Sequence, residues 1–218
     1  MTFNSLTFIV FFAIVALLHR LPFSWHTKKV NLLLASYIFY AAWNPPFILL
    51  LWASTFIDWK VAHWIDRTTD PARRKLVMLL SVVFNLGMLG YFKYGGFLLE
   101  SFQSVAATVG IDYTPPAWNI VLPIGISFYT FVTMSYTLDV YLRRARPGNS
   151  FLDFALFVTY FPHLVAGPIL RPTDLLPQFD RAPRLTRAMA THGLLLIVWG
   201  LFKKTVIASE LSVNLVDP

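Results

Sequence analysis

A single histidine stands in a segment of the chain that carries two prolines and a glycine. The segment reads Phe161-Pro162-His163-Leu164-Val165-Ala166-Gly167-Pro168-Ile169. An imidazole titrates at about pH 6.5 and can accept a proton from a hydroxyl group, so His163 is a candidate acid–base residue. The other interpretation is that its ring hydrogen-bonds a backbone carbonyl that Pro162 or Pro168 has freed. The sequence leaves both interpretations open.

Three cations could act on a substrate together with His163. Arg171 directly follows the broken segment, and a guanidinium at the mouth of a cavity can hold a phosphate or a carboxylate. Alternatively, Arg171 only sets membrane topology. Lys203 and Lys204 lie in an otherwise apolar run, where they either line a wet cavity or extend to a membrane interface. The candidate residues of a substrate path are therefore His163, Arg171, Lys203 and Lys204.

The composition places these residues in a membrane protein. The chain has 218 residues, of which 56% are hydrophobic, 17% aromatic and only 13% charged, with a mean hydropathy of +0.59. Soluble domains carry about 25% charged residues. A soluble α/β domain, a β-sandwich and a disordered tail are thus excluded. The absence of cysteine excludes disulfides, thiolate metal sites and a thiol nucleophile, and no other metal-ligand pattern occurs.

Apolar runs separated by charged loops predict an all-α, polytopic transmembrane protein with six or seven membrane segments. The whole chain, 1–218, forms one transmembrane domain. Asn44-Pro45-Pro46 divides a long apolar run into two helices, and the stretch Gly95 to Pro116 is expected to hold a short amphipathic helix at the outer interface. The predicted membrane segments are Phe3–Leu18, Val30–Trp43, Phe47–Ile65, Leu76–Phe92, Ile120–Leu138, Phe154–Leu170 and Ala188–Ser209.

Loops with many Lys and Arg residues alternate along the chain with loops that have few. Such alternation follows the positive-inside rule and predicts a multi-pass membrane protein with its N-terminus outside. It also argues against nucleic acid as the reason for the net charge of +7. Arg171 and Arg181 fit the alternation only if Phe154–Leu170 re-enters the membrane from the cytoplasmic face and returns there. We therefore expect Pro162–Pro168 to line an internal cavity.

Two aspartates lie near the predicted ends of apolar runs. Asp139 precedes Arg143 by four residues and is expected to form an ion pair with it. Asp58 is adjacent to Trp59 and Lys60 and is interpreted as an interfacial anchor. His192 is expected to be structural, because nothing near it in the sequence completes a site.

Several blocks resemble the membrane-bound O-acyltransferase (MBOAT) family, in its alginate O-acetyltransferase-like branch. The similarity covers most of the chain in the correct order. The blocks are Ala35-Ser36-Tyr37-Ile38-Phe39-Tyr40-Ala41, Gly90-Tyr91-Phe92-Lys93-Tyr94, Leu122-Pro123-Ile124-Gly125-Ile126-Ser127-Phe128-Tyr129, Ser135-Tyr136-Thr137-Leu138-Asp139-Val140-Tyr141, Phe151-Leu152-Asp153-Phe154-Ala155, Phe161 to Arg171 and Lys203-Lys204-Thr205-Val206-Ile207-Ala208.

The resemblance implies an enzyme that transfers an acetyl group to a hydroxyl of an extracytoplasmic polysaccharide such as alginate. The donor would be acetyl-CoA or another acetyl carrier, with no bound cofactor and no metal. Partners would be the lipid bilayer, the polysaccharide and other acetylation or export proteins.

The resemblance also implies where the catalytic base belongs. The family's catalytic histidine is part of a Trp-His motif that follows the Lys-Lys block, and no Trp-His pair follows Lys203-Lys204 in these 218 residues. We therefore expect the family histidine downstream of Pro218. The resemblance thus covers the N-terminal half of such an enzyme, with no catalytic residue in this chain and no activity expected of it alone.

Two other interpretations of the sequence stay open. A Pro/Gly-broken segment with an imidazole also suits a transporter or channel, although no second inverted copy of the segment occurs. A non-catalytic assembly subunit of a polysaccharide export system is the other alternative.

Overall fold

The fold is built entirely from helices in the part of the chain that the structure describes. The structure is a computed structural model and describes residues 3–114, 120–165, 167–183 and 185–212. These ranges contain no β-strand. The helices are α1 (Leu6–Arg20), α2 (Trp25–Ala41), α3 (Phe47–Arg67), α4 (Pro71–Leu89), α5 (Gly95–Thr108), α6 (Ile126–Tyr141), α7 (Phe151–Thr159), α8 (Phe161–Leu164), α9 (Pro172–Asp180), α10 (Arg187–Phe202) and α11 (Ser209–Leu211).

Hydroxyl and carboxylate side chains fix where several helices begin. Ser5 caps α1, Ser24 caps α2 and Ser150 caps α7, each by accepting a bond from a free amide of the first turn. Asp70 does the same for α4, with Pro71 at the first helical position, where its missing amide hydrogen costs nothing. The predicted helical segments before Pro46 and from Phe47 onward are confirmed.

Helices α4 and α5 form one continuous run. A π-helical turn over Gly90–Tyr94 joins them, so the short helix predicted after Gly95 exists but is not separate. By length and composition alone, one helix within the described ranges could cross a membrane, namely this run of 38 residues, Pro71–Thr108. The helix Leu6–Arg20 is apolar but shorter. The number of membrane segments therefore stays a prediction.

Helix α6 begins later than the sequence predicted. The expected start near Ile120 is wrong, because residues 120–125 are not helical and α6 begins at Ile126. Gly125 precedes the helix in the left-handed region, at φ 74°. The predicted end of the preceding loop at Pro115-Pro116 lies outside the described residues.

The core forms where α3, α4 and α6 pack together and where α7 inserts beside α2 and α3. From Phe154 to Thr159 every residue of α7 is buried. By contrast, α10 has no buried residue and α1 has only Val15. The apolar side chains of α1 and α10 therefore form an outer surface of the described part of the molecule, and α7 its interior.

Candidate functional site

The break predicted around His163 is confirmed. Helix α7 ends at Thr159, Tyr160 adopts an extended ψ of 113°, and the four-residue helix α8 follows. His163 is only 5% exposed. The segment Phe154–Leu170 is therefore not one continuous helix; Ala166 lies outside the described residues.

The imidazole of His163 caps the end of α7. Its Nε2 lies 3.0 Å from the carbonyl oxygen of Phe157, and because a carbonyl only accepts, Nε2 carries the hydrogen. In an uninterrupted helix the amide of Phe161 would bond this carbonyl, but it donates instead to Ser36 Oγ at 3.1 Å. The interpretation of His163 as a partner for a freed carbonyl thus matches the observed contact, and the freeing residue is Phe161 rather than either proline.

Two glycines allow the broken segment to pack tightly. A Cβ built on Gly125 would lie 2.7 Å from the carbonyl oxygen of Leu164, and one on Gly167 would lie 2.4 Å from the Cα of His163. Both glycines belong to blocks that carry the family resemblance. The structure therefore brings the Leu122–Tyr129 block directly against the Phe161–Arg171 block.

The other substrate-path candidates do not gather at His163. Arg171 is the exposed residue preceding α9, and Lys203 and Lys204 are exposed beyond α10. Lys203 stacks on Trp199, with its Nζ 5.3 Å from the ring centroid. Among the described residues no hydrogen bond or ion pair joins any two of the four candidates.

The position of the family's catalytic histidine is not tested by the structure. It is expected downstream of Pro218, and Pro218 itself lies outside the described residues, the last of which is Ser212. The placement of the catalytic base therefore stays a prediction.

Cavities of about 360, 420 and 550 Å³ are formed by α3, α4, α6, α9 and their loops. None of these three is lined by a residue from Pro162 to Pro168. That this segment lines a cavity, and that the four candidates touch a substrate, stay predictions.

A partly buried ion pair, which the sequence analysis missed, anchors α7 to α2. Lys29 Nζ lies 2.5 Å from Asp153 Oδ1, with side-chain exposures of 11% and 16%. Lys29 also donates to the carbonyl of Phe179 at 3.3 Å, and Trp25 Nε1 donates to the same oxygen at 2.7 Å. Helix α2 thus holds the start of α7 and the last turn of α9.

Asp58 is the centre of a buried polar cluster, so its interpretation as an interfacial anchor is wrong. Its side chain is 0% exposed and accepts hydrogen bonds from Ser81, from Asn85 Nδ2 at 2.8 Å and from Thr137 at 3.3 Å. Asn85 Oδ1 accepts in turn from Ser54 at 3.0 Å. The cluster joins α3, α4 and α6 at the middle of the core.

The sequence contained a signal for this cluster. Each of the three helices contributes a polar pair four residues apart, which places both members on one face of the helix. The pairs are Ser54 and Asp58, Ser81 and Asn85, and Thr133 and Thr137.

The predicted ion pair between Asp139 and Arg143 does not form in the described part of the chain, where the ion pairs are Lys29–Asp153 and Arg73–Asp70. The reason is the end of α6. Arg143 adopts a left-handed φ of 60°, which turns its side chain away from the helix face that Asp139 occupies.

No three His, Asp or Glu side chains within the described ranges lie close enough together to hold a metal ion. The arrangement around His163 is instead a hydrogen-bonded helix junction. It can position α6 and α7 against each other.

Comparison with known proteins finds several proteins with similar sequences. The chain is 39% identical over 188 residues to a Pseudomonas aeruginosa protein named "Probable alginate O-acetylase AlgI", which covers 85% of this chain and 35% of that protein. It is 38% identical over 189 residues to the Pseudomonas putida protein of the same name, covering 85% of this chain and 38% of that protein.

A third relative carries a different name. A Helicobacter pylori protein named "Peptidoglycan O-acetyltransferase" is 33% identical over 208 residues, covering 84% of this chain and 38% of that protein. The chain thus spans little more than a third of the length of the curated relatives it matches. Neither a family model nor a solved structure matches it. These similarities confirm the resemblance of the chain to the alginate O-acetyltransferase-like branch of the membrane-bound O-acyltransferases.

Proposed function

We propose that the chain is part of a membrane O-acetyltransferase that acetylates hydroxyl groups of an extracytoplasmic polysaccharide such as alginate. The observation that carries the proposal is the 39% identity to the alginate O-acetylase over 188 residues. The contact of Gly125 with Leu164 supports it, because two family-like blocks far apart in sequence meet there. A soluble enzyme would not expose apolar helices such as α1 and α10.

In the proposed reaction a polysaccharide hydroxyl attacks the carbonyl carbon of an acetyl carrier, acetyl-CoA or another. The new oxygen–carbon bond forms as the bond to the carrier breaks, and a general base takes the hydroxyl proton. We assign that base to the family's Trp-His histidine rather than to His163, which is buried and holds the end of α7 through the Phe157 carbonyl. The described helices would then form the wall that positions the reacting groups.

The proposed location is a bacterial inner membrane, crossed several times, with the N-terminus outside. The protein is a membrane protein by its family. The cation clusters at the junction of α1 with α2, at the junction of α3 with α4 and after α6 would be cytoplasmic. The broken segment Phe154–Leu170, which contains most of α7 and all of α8, would re-enter from that side. Most residues of these two short helices are buried, so that protein rather than lipid surrounds their backbone groups. The bilayer, the polysaccharide and other acetylation or export proteins are the proposed partners.

A domain exchange tests the activity. The stretch of the Pseudomonas aeruginosa alginate O-acetylase that aligns with this chain is replaced by this chain, and ester-linked acetate on secreted alginate is measured in cells that lack their own enzyme. The proposal expects acetylated alginate. A chimera that is membrane-inserted at normal levels and leaves alginate unacetylated contradicts it.

The natural absence of cysteine makes the topology testable by labelling. Single cysteines replace Asn4, Asp112, Arg144 and Arg181, all of which are exposed. An impermeant maleimide should label the first two in intact cells and the last two only after permeabilisation. Labelling of Arg144→Cys and Arg181→Cys from opposite faces contradicts the re-entrant segment.

A further inference from the structure

A cleft beside the C-terminal end of α6 collects arginines from the start of α4 and from the loop that follows α6. Its volume is about 360 Å³, within the usual range for small-molecule sites. It is lined by Asp66, Thr68, Thr69, Arg74, Val140, Arg143, Ala145 and Arg146. The cleft is distinct from the junction around His163, and no part of the proposed acetyl transfer uses it.

Arg74 is fixed in place at the cleft wall. Its Nη2 donates to the carbonyl of Tyr141 at 3.0 Å, and its guanidinium lies 5.7 Å from the centroid of the Tyr141 ring. Its Nε is buried and has no hydrogen-bond partner in the protein. A buried, charged donor without a partner indicates that an additional acceptor belongs near this position.

Arg143 occupies a backbone position that normally selects glycine. The amide of Arg143 donates to Val140 at 3.1 Å and that of Arg144 to Asp139 at 2.8 Å, which together form a Schellman motif at the end of α6. Arg143 is the left-handed residue of this motif, at φ 60°. Glycine would adopt that conformation without strain, so an arginine at this position lowers local stability.

The charges of the cleft are not balanced. Arg74, Arg143 and Arg146 face one carboxylate, Asp66, and none of the three arginines forms an ion pair within the described residues. Thr69 adds a hydroxyl beside them, whereas the Thr68 hydroxyl is bonded to the carbonyl of Trp64. Guanidinium groups with planar, forked donors suit a phosphate, whose oxygens can accept from several at once.

We propose that this cleft binds a phosphate group through Arg74, Arg143 and Arg146. The group belongs either to the headgroup of an anionic lipid or to a soluble phosphate ester. The proposal is independent of the acetyl-transfer assignment.

Calorimetric titration with inorganic pyrophosphate tests it, using the purified chain in phosphatidylcholine nanodiscs. The expected result is saturable binding, weakened about tenfold or more by Arg143→Gly and by Arg146→Gln, since each removes charge-assisted hydrogen bonds. Arg144→Gln is the matched control, because Arg144 is adjacent and exposed but does not line the cleft. Asp66→Asn should tighten binding by removing the like charge.

Arg143→Gly separates binding from folding. It should raise the midpoint of thermal unfolding while binding is lost, because glycine relieves the left-handed strain. A variant that merely unfolds would instead lower both the unfolding midpoint and the binding of pyrophosphate.

Nanodiscs that contain phosphatidylglycerol distinguish the two sources. If a lipid headgroup occupies the cleft, phosphatidylglycerol weakens pyrophosphate binding to the wild-type chain and to Arg144→Gln alike; if the natural ligand is soluble, it does not. Either outcome supports the phosphate site. Absence of saturable binding, or equal weakening by Arg143→Gly and Arg144→Gln, overturns it.

Discussion

The carbonyl oxygen of Leu164 occupies the position that a side chain on Gly125 would need, 2.7 Å from the ideal Cβ. This contact couples the start of α6 to the break after α7. Because Gly125 also has a φ of 74°, two independent constraints select glycine there.

Gly125→Ala should destabilise the chain by more than the strain of placing alanine in a left-handed conformation. The left-handed conformation costs a residue with a Cβ about 1–2 kcal/mol, and the clash with Leu164 adds to it. We expect a loss above about 2 kcal/mol, or about 4–8 °C in the unfolding midpoint in detergent for a chain of this size.

Gly110→Ala provides the matched control, since Gly110 has a φ of 79° with nothing within 4 Å of its Cβ position. The stability that Gly110→Ala loses should reflect the strain of the left-handed backbone alone. Equal losses for the two variants would mean that the contact with Leu164 contributes nothing.

His163→Ala should destabilise the junction by leaving the Phe157 carbonyl buried without a donor, at a cost of about 1–3 kcal/mol. His163→Gln retains a donor and should recover part of the loss. Chemical unfolding of the purified chain measures both.

His192→Ala, at an exposed histidine, should change stability by less than about 0.5 kcal/mol. In the chimera of the alginate O-acetylase, His163→Gln should preserve acetylation. A stable His163→Gln chimera without acetylation would instead assign His163 to the chemistry.

The sequence predicted those features that local chemistry determines. The prolines after Trp43 separated α2 from α3, and Pro162 marked the break after α7. The contact of the His163 imidazole depends on Ser36, which lies 125 residues from Phe161 along the chain. Because Ser36 accepts the amide hydrogen of Phe161, the carbonyl of Phe157 is left free for His163. No local pattern around His163 shows that contact.

The environment of Asp58 is a second feature that its sequence neighbours do not indicate. Its neighbours Trp59 and Lys60 suggested an interface, but the donors that surround it come from α4 and α6. Only the pairs spaced four residues apart on three helices, considered jointly, indicate that their polar faces meet.

Asp58→Ala should be among the most destabilising single changes in the core. It leaves Ser81, Asn85 and Thr137 without their shared acceptor, and each unsatisfied buried group costs about 1–3 kcal/mol. The expected readout is failure to purify as a monodisperse chain, or a loss of several kcal/mol in unfolding.

Asp112→Ala serves as its control, because Asp112 is exposed. Asp58→Ala combined with Asn85→Leu should be less damaging than the sum of the two single changes, since each removes a partner of the other. Strict additivity would show that the cluster does not act as a unit.

The ion pair of Lys29 and Asp153 should be measurable by a double-mutant cycle. Removing one partner of a buried pair costs about 3–5 kcal/mol, and the residual exposure of 11% and 16% places the expected loss for Lys29→Met near the lower limit, about 3 kcal/mol. Lys29 also serves the Phe179 carbonyl, so Lys29→Met should cost more than Asp153→Asn.

Lys28→Met is the matched control, because the adjacent Lys28 forms no ion pair among the described residues. The coupling energy between Lys29→Met and Asp153→Asn should be favourable to the wild-type pair by at least about 0.5 kcal/mol. A coupling near zero, or an equal loss for Lys28→Met, would mean that α2 does not hold the start of α7 through Lys29.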